Sequence, residues 1–404
     1  MIEAKKYQNV YKLVYFFLFG SIASLYPFFP LVLQSKGFEP SRIGFVMGSY
    51  EFVSILGLLI IGHFYDRIRS PRRTIVTIIL LCLLTLFLIV RAQSLLLVVP
   101  LTLGLGFVIK SPTSLVDAHY GQTMPNSQEK YGKTRLYGSL GFFCVAMLIQ
   151  ITNWVEASRP ISVFLGFSIL MVIAIPLIIY LPAAHLAEDQ QKPVSFLKTI
   201  KTFPGIYWIG LSIASLNFMG ISGHITFFSL LLKNKFATED ISGFWAIGPL
   251  FEVPLFFFSG FLLRKLGLKR LWLLCLAAGV LRMQVYSFSR TLLPLYIVQI
   301  LHSISFGFNH LAMVTLISRA TSNASRGLAM SLYSAIGMGF SLFVGGFLGG
   351  WILGYSDYPF LFQVFSLFPL LGMGIILLFL RGKQLEKMNE ESSEDFSIPR
   401  GDHI

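Results

Sequence analysis

The sequence predicts an all-α membrane protein of twelve transmembrane helices, arranged as two six-helix bundles related by a pseudo-two-fold axis. Three observations carry that expectation. Of 404 residues, 55% are apolar and only 13% charged, a balance that a water-soluble domain of this length cannot accommodate. Apolar runs of about 20 residues, the length needed to cross a bilayer core of about 30 Å, recur along the whole chain with polar punctuation between them. The second half also repeats the first at an offset of about 199 residues.

Taken in order, the first run lies near 11 to 33. It is too long for the apolar segment of a secretion signal and no small-residue cleavage motif follows it, so it is expected to remain as helix 1. Pro27 and Pro30 predict a kink there. The next two runs, near 43 to 65 and 74 to 94, flank the basic loop GHFYDRIRSPRR. Runs near 95 to 119, 131 to 153 and 161 to 181 complete the first set. A charged stretch holding AEDQQKP and KTIK then separates the halves. The second set lies near 204 to 232, 242 to 263, 271 to 289, 292 to 318, 327 to 353 and 359 to 380. Within the eleventh run, Gly345/Gly349 and Gly346/Gly350 form a small-xxx-small pattern suited to close helix packing. The expected organisation is a bundle over 1–181, a cytoplasmic linker over 182–203, a second bundle over 204–381 and a disordered tail over 382–404, where NEESSED is too polar and too short to fold alone.

A formal charge of +13 raises the question of a polyanionic partner. The bases, however, follow the loops. With the N-terminus on the cytoplasmic side, 22 of the 32 Lys and Arg fall on that side, and seven fall outside: Lys36, Arg42, Arg91, Arg159, Lys233, Lys235 and Arg290. This positive-inside bias puts both termini in the cytoplasm of a cell or inner membrane and accounts for the charge without nucleic acid. Cys82, Cys144 and Cys275 sit in apolar runs without metal or redox spacing, so packing is their expected role.

The repeat is explicit. FFPLVLQSKGFEPSRIGF from Phe28 aligns with FFSLLLKNKFATEDISGF from Phe227, pairing Lys36 with Lys235 and Gly44 with Gly243. GHFYDRIRSPRR from Gly62 aligns with GFLLRKLGLKR from Gly260. Helix 1 therefore resembles helix 7, and helix 2 resembles helix 8. Parallel duplication of six spans is the pattern of major facilitator transporters. GHFYDRIRSPRR resembles that superfamily's signature between helices 2 and 3 through Gly62, Asp66, Arg67, Arg72 and Arg73, while Arg69 stands where a glycine is usual. The resemblance implies a gating latch in which Asp66 pairs with a helix N-terminus of the other half; taken alone, Asp66 could equally cap a helix and the bases fix topology. In the second copy Arg264 replaces the acid, so such a latch is one-sided.

Ionisable groups inside the spans carry the functional argument, since each costs roughly 3 kcal/mol at the bilayer centre. They are Glu51, Lys110, Asp117, Arg135, Glu252 and Arg282, with His224, His302 and His310. Three acids balance three bases, and protonating one acid leaves the set positive. Asp117 precedes Arg135 by eighteen residues, and this pair resembles the helix 4 acid and helix 5 arginine of lactose permease-like symporters. An arginine fork and a carboxylate can together hold adjacent hydroxyls or a carboxylate. Alternatively Arg135 only snorkels to the surface. Phe142, two turns beyond Arg135, falls where that family stacks an aromatic on a sugar; the family's own residue there is Trp. Arg282 and His302 resemble its helix 9 arginine and helix 10 histidine, but Ser305 replaces the proton-binding glutamate that follows, which excludes that position as the proton carrier.

LHSISFGFNHLAMV, FWAIGPLFEVPLFF and ISGHITFF resemble instead the phenylpropionate permease-like branch, whose helix 8 carries an acid as Glu252 does here. His302, Ser305 and Asn309 share one helical face, and His310 points elsewhere, toward a packing hydrogen bond. The expected substrate ligands are thus Asp117, Arg135, Phe142, Arg282, His302, Asn309 and His224, though His224 would serve equally as a helix-helix hydrogen bond. Glu252 is the first candidate for the proton, with Glu51 and Asp117 behind it, because an apolar setting favours a neutral carboxyl. Arg282 is expected to compete for Glu252. Lys110 is a ligand, a partner for an acid, or a snorkelling base.

The sequence contains no HExxH, GxSxG, P-loop or acid-rich metal motif that an enzyme would need. A receptor would not need a duplicated unit. The expectation is a monomeric secondary transporter using the proton gradient and no cofactor, with a small solute, H+ and lipid as partners. Direction and substrate stay open among uptake of a glycoside or an aromatic carboxylate, efflux, and nucleoside transport.

Overall fold

A computed structural model of the chain describes residues 2–65, 70–124, 128–183 and 199–380. Among these residues the chain is helical throughout, with no strand. Eleven helices are long and apolar enough to cross a membrane and a shorter one completes the twelve. They are α1 (Lys5–Ser35), α2 (Pro40–Tyr65), α3 (Pro71–Arg91), α4 (Leu95–Thr123), α5 (Tyr131–Thr152), α6 (Pro160–Tyr180), α7 (Gly205–Phe236), α8 (Ile241–Phe257), α9 (Ser259–Phe288), α10 (Leu292–Ala320), α11 (Ser325–Leu353) and α12 (Tyr358–Phe379). The linker residues 184–198, the tail from 381, and Asp66 and Arg67 of the expected latch lie outside the described residues.

The separation of α8 from α9 differs from the expectation of two spans joined by a loop. Helix continues almost unbroken from 241 to 288, and the reversal is made at Gly267, whose φ of 71° and ψ of 165° only glycine adopts without strain. Residues 259–266 therefore extend the eighth crossing. Elsewhere prolines explain the irregularities. In α1 the helix stops at Leu25 and resumes at Phe29, around Pro27, which has no N–H to donate. In α4, Pro112 cannot donate to the Val108 carbonyl, and the helix opens at Lys110. Helices α10 and α11 each contain a π-helical turn, at Ser303–Gly307 and Tyr333–Phe340, a feature often found at functional sites.

Two basic straps recur at equivalent places in the two halves. Lys36 Nζ donates to the carbonyls of Val90 and Ala92 at the end of α3 (2.9 and 2.7 Å), and its repeat partner Lys235 donates to those of Ser287 and Ser289 at the end of α9 (3.5 and 3.2 Å). At the opposite face Arg72 bonds the Ile179 and Leu181 carbonyls at the end of α6, and Lys269 bonds the Leu380 carbonyl after α12. Each base satisfies orphan carbonyls at the negative end of a helix.

The apolar core shows how the halves meet. One cluster fills the first six helices and continues into Phe227–Leu232, Ile241–Ala246, Met283–Val298 and Ile352–Phe365 of the last six. A separate cluster holds the other ends of those helices, among them Tyr207, Trp272, Leu316, Tyr333 and Ile376. The halves therefore share one core at the face away from the N-terminus, here the distal face, and have separate cores at the N-terminal face. Two seams close the distal face. Gly44 and Gly48 of α2 lie against Gly346 and Gly350 of α11 so closely that a Cβ on Gly44 would meet the backbone of Gly350 at 2.5 Å. On the other side Gln150 Oε1 of α5 accepts from Gly243 N–H of α8 at 2.7 Å and from Ser242 Oγ at 3.2 Å. Gln34 and Asn234, 3.0 Å apart, link the ends of α1 and α7.

Candidate functional site

The site is built where the shared core ends, from α1, α4 and α5 on one side and α7, α8, α9 and α10 on the other. Asp117 of α4 and Arg135 of α5 face each other, Arg135 Nε lying 3.7 Å from Asp117 Oδ1. Both side chains keep about a third of their surface exposed, 34% and 31%, so neither is locked away from a solute. Helix α1 supplies an aromatic cradle. Tyr15 Oη donates to Asp117 at 2.6 Å, and the Arg135 guanidinium lies 3.9 Å from the centre of the Phe19 ring and 5.3 Å from that of Tyr15. Tyr131 also lies beside Asp117. Stacking on Phe19 fixes the plane of the fork while leaving hydrogen-bonding capacity at its edge. Such an arrangement can hold vicinal hydroxyls between acid and base, or a carboxylate on the arginine, with an aromatic wall beside either.

One turn beyond Arg135 on the same face of α5, Ser139 Oγ donates across to Glu252 Oε2 of α8 at 3.1 Å. The other carboxylate oxygen of Glu252 is 3.7 Å from His302 Nε2. His302 stacks on Phe306 at 5.7 Å and lies 5.6 Å from the ring of His224. Behind the histidines is a buried network. Tyr286 Oη is 3.0 Å from His224 Nδ1, and Arg282 donates to Tyr286 Oη (2.9 Å), Gln299 Oε1 (3.3 Å) and Ser305 Oγ (3.2 Å). Polar groups thus run from Asp117 in the first half, through Ser139, to Arg282 in the second.

The structure separates the residues expected to act together. Asp117, Arg135, Glu252 and His302 border the region between the halves. Arg282 is fully buried, and the expected competition of Arg282 for Glu252 is not seen, because His302 stands against the carboxylate while the guanidinium is held by neutral oxygens of its own half. Asn309 is fully buried and bonds Trp272 Nε1 and the Ala214 carbonyl, a tie between α7, α9 and α10. Phe142 is 8% exposed and packs in the core of the first half. His224 is buried against Tyr286, Phe228 and Trp245. Glu51 is paired with Lys110 at the opening in α4, beside a small cavity between the halves lined by Tyr26, Phe29, Met47, Tyr50 and Ile225. His310 lies 3.3 Å from Tyr333 Oη. Of the loop residues, Gly62 has open space around it, Arg73 is exposed and Arg72 caps α6.

Sequence reasoning overlooked Tyr15, Phe19, Tyr131, Ser139, Gln299 and Tyr286. A signal existed for some of them: Tyr15 and Phe19 stand four apart in the aromatic run YFFLF, and Ser139 is four residues after Arg135.

The sequence profile of the MFS_1 like family matches residues 9–364. Among curated relatives, a maltose permease of Geobacillus stearothermophilus is 24% identical over 379 residues, covering 92% of this chain and 94% of that protein. A probable 3-phenylpropionic acid transporter of Escherichia coli (strain K12) is 26% identical over 375 residues, covering 89% and 94%. Among solved structures, the nucleoside transporter NupG superposes with a TM-score of 0.78 at 16% identity, over 93% of this chain and 99% of that one, a likeness of fold.

Proposed function

The chain belongs to the MFS_1 like family of membrane transporters and is not an enzyme, and from that premise we propose that it carries a small polar or anionic organic solute inward together with a proton. The observation that carries the proposal is the Asp117–Arg135 pair, about one third exposed in its aromatic cradle, between two halves whose described residues share a core at the distal face. With the N-terminus cytoplasmic, this is the inward-facing arrangement of an alternating-access cycle. Glycosides and aromatic carboxylates both suit an acid, a planar base and an aromatic wall, and the two relatives' names, maltose permease and 3-phenylpropionic acid transporter, fall in these classes.

Glu252 is the proton carrier in this scheme. It is the acid that touches both halves, and protonating it leaves the buried set of charges with one excess positive charge that an anionic solute would balance. The test is uptake into proteoliposomes of a panel of sugars, aromatic acids and nucleosides under an imposed pH gradient. The expected outcome is accumulation of one class by the wild type. Arg135→Ala should lower its affinity about a hundredfold, the loss of a charged hydrogen-bonding partner. Glu252→Gln should retain counterflow exchange but lose accumulation driven by acid outside; accumulation by this variant would remove Glu252 from the proton step.

A further inference from the structure

Among the described residues, the bond between Ser139 and Glu252 is the one place at the depth of the site where a side chain of the first half donates to an ionisable group of the second. Glu252 is surrounded by few groups that could set its charge. From α10 it meets His302 at 3.7 Å, and from α5 it meets the Ser139 hydroxyl and feels the Arg135 charge. From α9 and α7, Arg282 and His224 lie one residue further back, behind Tyr286 and His302. No other residue of α8 is ionisable. His302 and the groups behind it belong to the same half as Glu252 and travel with it. Ser139 does not.

We propose that Ser139 is the positioning residue that ties the proton on Glu252 to the relative placement of the two halves. This rests on the reading of Glu252 as the proton carrier. A hydroxyl donating to a carboxylate stabilises its charged form. The bond is 3.1 Å long and its ends sit on different halves, so a relative movement of about 0.5 Å takes it out of hydrogen-bonding range. The same α5–α8 seam is fastened eleven residues further along α5, three turns on and on the same face, by Gln150 on Ser242 and Gly243. When the distal face closes, both fastenings form and the carboxylate gains a donor, which expels the proton. When that seam parts, the donor is lost and the neutral carboxyl is favoured. Linkage then requires protons to favour the arrangement with the distal face open.

The experiment measures the distance between spectroscopic labels at Arg42 on α2 and Tyr355 after α11, in nanodiscs without substrate, as the pH is lowered. In wild type the ratio of open to closed distal face rises on acidification. Ser139→Ala should reduce that pH-dependent change about tenfold, the scale of one hydrogen bond to a charged group, and Ser139→Thr, which keeps the hydroxyl, should restore it. A merely structural serine would shift the ratio equally at every pH. A folded Ser139→Ala protein with the wild-type pH response overturns the proposal. Failure of the underlying reading is seen separately, in accumulation by Glu252→Gln under a pH gradient.

Discussion

The two seams that close the distal face join equivalent helices of the repeat by different chemistry. Between α2 and α11, four glycines bring backbone against backbone, with the Cβ positions of Gly44 and Gly346 within 2.8 Å of the opposing chain. Between α5 and α8, where Gly243 is the repeat partner of Gly44, the facing position is taken by Gln150, whose amide oxygen holds Gly243 N–H and Ser242 Oγ. The glycine seam is close-packed and carries no charge, so its energy depends on shape alone. The glutamine seam depends on directed bonds and runs on to Ser139 and Glu252. Shape can close a face without sensing anything; a chain of hydrogen bonds that ends on a carboxyl can respond to its proton. If Glu252 carries the proton as proposed, the asymmetry leaves the larger share of closure to the glycine seam and gives the response to the proton to the glutamine seam.

The largest test of that division is Gly44→Leu. The atoms it would meet are the Gly350 backbone, which cannot rotate away, so the closed distal face should lose about 3 kcal/mol, a shift of roughly a hundredfold toward the open arrangement in the Arg42–Tyr355 label distance. A smaller effect is expected from Gln150→Ala. Removing an acceptor at the start of α8 should cost about 1 kcal/mol, roughly a fivefold shift in the same ratio. If Gln150→Ala opened the face as far as Gly44→Leu, the closing role would belong to both seams and the comparison would fail. Least of all should follow from Lys36→Met and Lys235→Met. Each loses a strap within its own half and should lower stability by about 1 kcal/mol, read as a fall of a few degrees in thermal midpoint, with the label distances unchanged.

Much of the fold was legible because bilayer thickness imposes one length on every span and because the repeat can be read twice. Lys36 and Lys235 aligned at the sequence level before the structure gave them matching tasks. The turn at Gly267 was not legible as a turn, since LRKLGLKR reads as an ordinary charged loop while the chain stays helical up to the glycine. In the site, Asp117 and Arg135 could be paired from spacing and resemblance, and they do face each other. Their cradle could not be, because Tyr15 and Phe19 stand about a hundred residues or more away and an aromatic-rich helix reads the same whether it faces lipid, core or ligand. Arg282 shows the opposite difficulty. A lone arginine in a span suggests an acidic partner, whereas the structure surrounds it with Ser305, Tyr286 and Gln299, neutral groups that leave no mark in a charge pattern.

The basic straps bear on the mechanics of the whole molecule. Lys36 binds the end of α1 to the end of α3, and Arg72 binds the start of α3 to the end of α6; Lys235 and Lys269 do the same for α7, α9 and α12. Each half thus contains a truss of three helices pinned at alternate ends. The helices left out of both trusses are α2, α5, α8 and α11, which form the seams, and α4 and α10, which carry Asp117 and His302. Load applied at a seam is consequently borne by bending of these six unpinned members against two stiff frames, so the compliance of the protein is concentrated in the helices that carry Asp117, Arg135, Glu252 and His302, while the aromatic cradle on α1 and the buried arginine network on α7 and α9 stay with the frames.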